Sequence, residues 1–445
     1  MPNNPHPLLL NRSAQGGLML FWTGIAFLVA AASGLKFFSP LLYLLLGMGG
    51  TVLGAIWYLF ATYHQQWPGI KNNGIMQNAL TARGIYGWIL GIVLTGFYVL
   101  LYWFPTYLTN LIRITDPISF GLRGVAADQW FLYGVFYTLA VLVMGLRMVY
   151  KYRHNRYQII RTFSVMFFQT IFAFFIPAIL KLMNEPEFYF HYFWPLDYDY
   201  LFPNTVQWLS QGSSVAHLAL WSGLFLTFIA TPALTFFFGK RWYCSWVCGC
   251  GGLAETLGDP FRQLSDNSLT AWRIERWMIH TVLVGIVSLT ALLWVNSWTE
   301  GEVLGSFSQS FAKWYGFGIG SVFSGVIGVG FYPLMGSRVW CRFGCPMAAL
   351  MGLQQKWFSR FRITTNGGQC ISCGNCSAYC EMGIDVRWYA QRGQNIVRAS
   401  CVGCGICAAV CPRGVLKLEN GTSERNERYG KAVMVHSDDV DILTP

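Results

Sequence analysis

Thirteen cysteines crowd between Cys244 and Cys411, and none lies in the first 243 residues. Eight of them form two runs of one spacing: Cys370, Cys373, Cys376 and Cys380, then Cys401, Cys404, Cys407 and Cys411, with Pro412 next. This is the spacing of bacterial two-cluster ferredoxins. Three closely spaced thiolates turn round one face of an iron–sulfur cubane, and the fourth reaches across to the neighbouring cluster. Cys370, Cys373, Cys376 and Cys411 are therefore expected to hold one 4Fe–4S cluster, and Cys401, Cys404, Cys407 and Cys380 the other. Gly374 and Gly405 occupy matching places, where backbone must pass close to sulfide. A zinc ribbon uses pairs of CxxC and not this triple with a fourth cysteine three residues on. Glu381 stands where proline usually follows the fourth cysteine of the first run.

Four more cysteines form a duplicated pattern. Arg241, Cys244 and Cys248 line up with Arg338, Cys341 and Cys345 at an offset of 97 residues, with an aromatic residue before the first cysteine of each pair. An i, i+4 spacing sets both thiols of a pair on one face if the segment is helical. Two such pairs facing each other offer four thiolates, and the arginines favour the ionised form. An additional iron–sulfur cluster, copper handling and a reversible disulfide all fit. Buried thiols can also pack as small hydrophobes, but the duplication argues for a redox or metal role. Cys250 is a further thiol beside Cys248 and an alternative ligand.

What carries these cysteines is largely apolar. The chain has 445 residues, 54% hydrophobic and 11% charged, against about 25% charged in an ordinary soluble domain. That excludes a soluble enzyme, a disordered chain and a fibrous protein. A net charge of +11 fits basic loops that orient a membrane protein better than nucleic-acid binding. Apolar runs predict helical spans at about 17–35, 40–62, 84–104, 129–150, 160–183, 214–238, 276–297 and 314–335, each long enough to cross about 30 Å of hydrocarbon. With the N-terminus inside, thirteen lysines and arginines fall in inner segments and five, including Lys36, in outer ones; Lys71 is among the inner group. That bias places both termini in the cytoplasm. The first span reads as an uncleaved anchor.

The expected fold is thus an all-α polytopic membrane protein of about eight transmembrane helices with a small C-terminal α+β two-cluster ferredoxin domain. Its divisions are 1–213 (five spans), 214–359 (three spans with the paired CxxxC motifs), 360–420 (ferredoxin domain) and 421–445 (polar tail). A core as small as 360–420 usually needs a staple, which metal clusters supply.

Paired CxxxC motifs after membrane spans, followed by a two-cluster ferredoxin segment, resemble the membrane-bound polyferredoxin family of NapH, NosR and CcoG (FixG). The resemblance covers about 214–420. Cys341, Cys345 and Pro346 match its CxxxCP motif, whereas Gly249 follows Cys248. The resemblance implies electron transfer at the bacterial inner membrane between the quinone pool, or a soluble donor, and partner redox subunits, and so an electron-transfer subunit of an oxidoreductase complex. It also allows an assembly factor that reduces or delivers copper to a respiratory oxidase. A redox sensor is a further reading. No phosphate-cradling loop or serine triad signal is present.

Two other features invite function. His64 and His280 both fall near the inner face and could flank a quinone head group or ligate heme, though a helix-end histidine is commonly a hydrogen-bonded interface residue. The expected outer segment from Glu185 to Pro203 is crowded with aromatics, which suits an interfacial belt or a docking surface for an outer partner.

Overall fold

In the computed structural model the described residues are 12–35, 37–64, 66, 68–69, 78–421, 433–435 and 440–442. Lys36, Lys71 and most of the 421–445 tail lie outside them. Seven helices are long and apolar enough to cross a membrane: α1 (Arg12–Ala32), α2 (Pro40–Tyr63), α3 (Ile85–Trp103), α4 (Gln129–Lys151), α5 (Arg156–Leu182), α6 (Ser214–Phe238) and α7 (Leu269–Trp298). At ~1.5 Å per residue, each of these lengths is enough to cross about 30 Å of hydrocarbon. The expected eighth span folds as a helix too, α8 (307–330). It is not among the seven, because Gly316, Gly318, Gly320, Gly325, Gly328 and Gly330 dilute its hydropathy.

Local sequence explains several helix starts. The side chains of Asp128, Asn155 and Ser268 accept from the backbone N–H of Phe131, Gln158 and Ala271, capping α4, α5 and α7, and so satisfy N–H groups that would otherwise lack partners. α1 packs closely along α2 through small residues: a Cβ on Gly17 would lie 2.6 Å from the Tyr58 nitrogen. Such close approach is how helices gain contact where no hydrophobic effect drives them together.

After α8 the chain makes α9 (Pro346–Phe358), then β1 (Phe361–Thr365), which pairs antiparallel with β2 (Leu416–Asn420), Phe361 opposite Asn420 and Thr365 opposite Leu416. The two cysteine runs lie between these strands. Each run enters a short helix, α10 (Asn375–Ala378) or α12 (Ile406–Ala409), and between them lies α11 (Val386–Gln391). Gly374 and Gly405 cap α10 and α12 with φ of 81° and 75°, a left-handed backbone that suits glycine. The fold is therefore the expected one: a helical membrane bundle with a small C-terminal α+β unit.

The α+β unit is bound to one end of the bundle. Gln158 Nε2 donates to the Cys404 carbonyl at 2.9 Å, Lys240 Nζ to the Ala399 carbonyl at 2.7 Å and Ser245 Oγ to the Val402 carbonyl at 2.9 Å. The Arg360 N–H donates to the Phe236 carbonyl at 2.8 Å. The start of α5, the end of α6 and the segment after α8 thus share one side with the cysteine runs, as an alternating path through eight helices requires.

Candidate functional site

The connection after α6 does not stay at the membrane edge. Gln169, in the middle of α5, donates to the Val247 carbonyl at 2.6 Å, and Tyr137, in the middle of α4, donates to the Gly249 carbonyl at 2.7 Å. Gln169 is about 20 Å along α5 from Arg156 at the helical rise. The chain therefore dips into the bundle, turns at Cys248–Gly249 and climbs back through the short helix Gly249–Glu255. The expectation that Cys244 and Cys248 sit just past the inner end of a span is corrected for Cys248, which lies within the bundle, whereas Cys244 is next to Ser245 at the contact with the α+β unit. Irregular backbone at such depth is tolerated because protein surrounds it.

The segment 185–203 folds in from the opposite side. Tyr243 Oη donates to the His191 carbonyl at 2.8 Å, and the Phe193 ring lies 5.2 Å from that of Tyr243. Trp194 Nε1 donates to Thr290 Oγ1 on α7 at 3.2 Å. An aromatic belt or an outer docking surface was expected here; instead most of these rings pack into the bundle above the cysteines. His191 is 4% exposed, and neither ring nitrogen has a hydrogen-bond partner among the described residues. Burial pushes its pKa down to about 4. A base whose folded pKa lies below its unfolded value of about 6.5 destabilises the fold as pH falls from 6.5 towards 4. Lowering pH from 7 to 5 is expected to cost about 2 kcal/mol through this residue, and His191→Phe should remove that share of the acid sensitivity, read as the shift in thermal midpoint in detergent. Equal acid sensitivity in both proteins would show that His191 stays neutral in the unfolded chain or is hydrated in the fold.

Cys244, Cys248, Cys341 and Cys345 are all buried and belong to one packed core. Cys345 feels the charge of the other three, so the two duplicated pairs are brought together. Burial pushes the Cys244 thiol up to about 11 and Cys341 up to about 12, with the guanidinium of Arg338 pulling both down. Arg338 Nη1 donates to Cys341 Sγ at 3.7 Å and to the Cys244 carbonyl at 3.1 Å. The Ala348 N–H donates to Cys345 Sγ at 3.4 Å at the start of α9. Such donors stabilise a thiolate and tune a bound metal. Cys250 is less buried than Cys248 and beside it.

The eight ferredoxin-type cysteines fall into two groups. One surface cavity is lined by Cys370, Cys373, Cys376 and Cys411 together, so the last cysteine of the second run does reach the first three of the first. Cys380, Cys401, Cys404 and Cys407 lie deeper, and Cys407 feels the charge of Cys404, Cys401 and Cys380. The Ile384 N–H donates to Cys380 Sγ at 3.4 Å. Cys376 and Cys407 are mutual neighbours across the two groups.

Between the buried cysteine groups runs a network of charges absent from the sequence-based expectation. Asp259 pairs with Arg147 at 2.6 Å, Lys151 at 2.8 Å and Arg262 at 2.7 Å. Glu255 pairs with Arg161 at 2.5 Å, Arg338 at 2.6 Å and Arg262. Glu381 pairs with Arg262 at 2.9 Å and Arg338 at 3.0 Å. Every side chain here is at most 2% exposed. Burial raises Glu255 and Asp259, but their cations win and hold both well below the usual carboxylate range. Glu381 goes up, burial and Glu255 outweighing its arginines. Five cations face three carboxylates among the described residues, so the network has positive charge to spare beside the thiols. Cys404 Sγ lies within 4.8 Å of both Glu255 and Glu381 oxygens. One hint in the sequence was Glu381 in the place of proline.

His64 and His280 are not brought together. His64 ends α2, which packs on α1 and α4, while His280 lies on α7, which packs on α8 and α9. Among the described residues no hydrogen bond joins them.

Comparison with known proteins meets this geometry. A family model described as a 4Fe-4S dicluster domain matches residues 369–416. A second, described as a 4Fe-4S binding domain, matches twice, at 220–267 and 305–364, so each duplicated cysteine pair lies in its own copy. A curated relative, YccM of Escherichia coli (strain K12), provisionally assigned to electron transport, is 28% identical over 152 residues. That alignment covers 32% of this chain and 41% of the relative. No solved structure matches the chain.

Proposed function

We propose that this chain is a membrane electron relay with three iron–sulfur stations: one inside the bundle at Cys244, Cys248, Cys341 and Cys345, one at Cys380, Cys401, Cys404 and Cys407, and one at Cys370, Cys373, Cys376 and Cys411. The observation that carries this reading is their order in depth. The first group reaches into the bundle at Cys248, the second lies against the bundle end, and the third lines a surface cavity with Cys373 exposed. Bound at these cysteines, 4Fe–4S clusters supply one-electron redox chemistry at potentials that charge, hydrogen bonds and solvent exposure set.

The chain's own residues supply the rest. The buried thiols must lose their protons to ligate, and Arg338 offsets the penalty that burial places on the Cys341 thiolate. The deep end meets lipid-soluble carriers, which makes a quinol its fitting partner, while the exposed end meets soluble proteins or partner subunits. The basic loops support a cytoplasmic position for that end.

Anaerobically isolated protein is expected to hold about twelve irons on this count of clusters and to be reduced by menaquinol or ubiquinol. Clusters that stay oxidised with both quinols, yet accept electrons from a soluble donor, would overturn the quinol end of the relay. Stoichiometric copper in place of iron would overturn the deep cluster.

A further inference from the structure

Resting on the reading of Cys370, Cys373, Cys376 and Cys411 as a cluster site, we infer that the face around Cys373 docks a small acidic electron-carrier protein. The site opens to the surface here, while the Cys404, Ala399 and Val402 carbonyls of the α+β unit are held to the bundle. At the opening Ile371 is 54% exposed and Trp388 42% exposed, an apolar pair on the lip of a redox site. The lip is held in shape. Ser372 has a φ of 58° and accepts at Oγ from Gln391 Nε2 at 2.7 Å, and the Arg392 guanidinium lies 4.2 Å over the Trp388 ring.

Among the described residues the cavity lining carries arginines and no carboxylate. Arg387 and Arg413 line the cavity, and Arg392 lies over Trp388, the residue that follows Arg387 on α11. The described acids of the same unit are hydrogen-bonded or ion-paired. Glu381 is buried in the ion network, Asp385 accepts from Ser377 Oγ at 2.7 Å, and Glu419 accepts from Thr364 Oγ1 at 2.9 Å on β2. An apolar contact ringed by guanidinium groups complements a carrier whose redox centre is ringed by carboxylates. Such complementarity mainly raises the association rate and is screened by salt. In one encounter the carrier loses one electron and this protein gains one; no bond forms and no atom passes between them.

The test is anaerobic stopped-flow reduction of the whole protein in neutral detergent by reduced flavodoxin, a small acidic flavoprotein. The wild-type rate should fall about tenfold between low salt and about 0.5 M salt. The Arg392→Glu variant should be about threefold slower at low salt with its salt dependence reduced, and Arg392→Lys should keep most of the rate. Iron content and the extent of reduction by dithionite should match wild type in both. A salt-independent wild-type rate, or a charge-reversed variant that keeps iron and reacts at the wild-type rate, overturns the docking face alone. A wild-type protein without iron at the eight ferredoxin-type cysteines overturns the cluster reading and the docking face with it.

Discussion

Arg262→Ala is expected to cost about 3–5 kcal/mol, because one residue removed from a buried ion network leaves its partners charged and dry. Arg262 is fully buried and reaches three carboxylates: Asp259 at 2.7 Å, Glu381 at 2.9 Å, and Glu255. Asp259 and Glu255 belong to the connection that dips into the bundle, and Glu381 follows Cys380, so this one guanidinium ties the deep loop to the cysteine-rich unit. The surplus of cations does not soften the loss in iron-loaded protein, where ligated thiolates bring negative charge of their own beside Cys404. Arg262→Lys should recover little, since a compact ammonium cannot span three carboxylates as a planar fork does. The check is the thermal midpoint of iron-loaded protein in detergent. Arg153→Ala is the control: its guanidinium is exposed and donates to the Tyr150 and Gln66 carbonyls, and a surface change of that kind stays within about 0.5 kcal/mol. Equal midpoints for the two variants would refute the network's structural role.

The parts of this molecule that follow from local spacing could be read in the sequence, and those that depend on where a loop travels could not. Cys370, Cys373, Cys376 and Cys411 line one cavity because two-residue gaps and a following short helix dictate the turn wherever the unit sits. Seven membrane helices follow from apolar runs alone, and α8 follows less clearly because glycine adds length without hydropathy. Hydropathy reasoning assumes, however, that whatever is not a span stays outside. It therefore left Cys248 and His191 at the two faces, when both connections turn inward and meet. The same assumption made Arg147, Lys151, Arg161 and Arg262 orientation charges. They do lie on the side the charge rule gives them, but buried against Asp259 and Glu255. The carboxylates that hold them there are four residues apart, just after the cysteine pair, in a chain with only 20 acidic residues. Acids that scarce, placed that close to thiols, are the signal that could have shown the network. His64 and His280 failed for a related reason, since sequence gives depth but not lateral neighbours.

Cys341→Ser/Cys345→Ser is expected to lower the iron content from about twelve to about eight per chain while the ferredoxin-type unit keeps its clusters and its paramagnetic signals with dithionite. The two sites separate because the unit's eight thiols come wholly from residues 370–411, and its strands, β1 and β2, pair with each other. Electron entry from quinol should then stop, because the station among the membrane helices is missing, whereas reduction from the aqueous side should persist. Serine keeps the size of the side chain, so a packing role for these thiols predicts full iron content, undiminished quinol reduction and a stability change of a few kcal/mol at most. Cys250→Ser divides the remaining possibilities. Cys250 is beside Cys248 and less buried, and if Cys248 is the ligand, the Cys250→Ser protein holds about twelve irons. If the Cys250→Ser protein falls to about eight and Cys248→Ser does not, the duplicated i, i+4 pattern misassigns one ligand and the deep site is built on Cys244, Cys250, Cys341 and Cys345. Either result keeps an iron site inside the bundle; full iron content in Cys341→Ser/Cys345→Ser removes it, and with it the path from lipid to water.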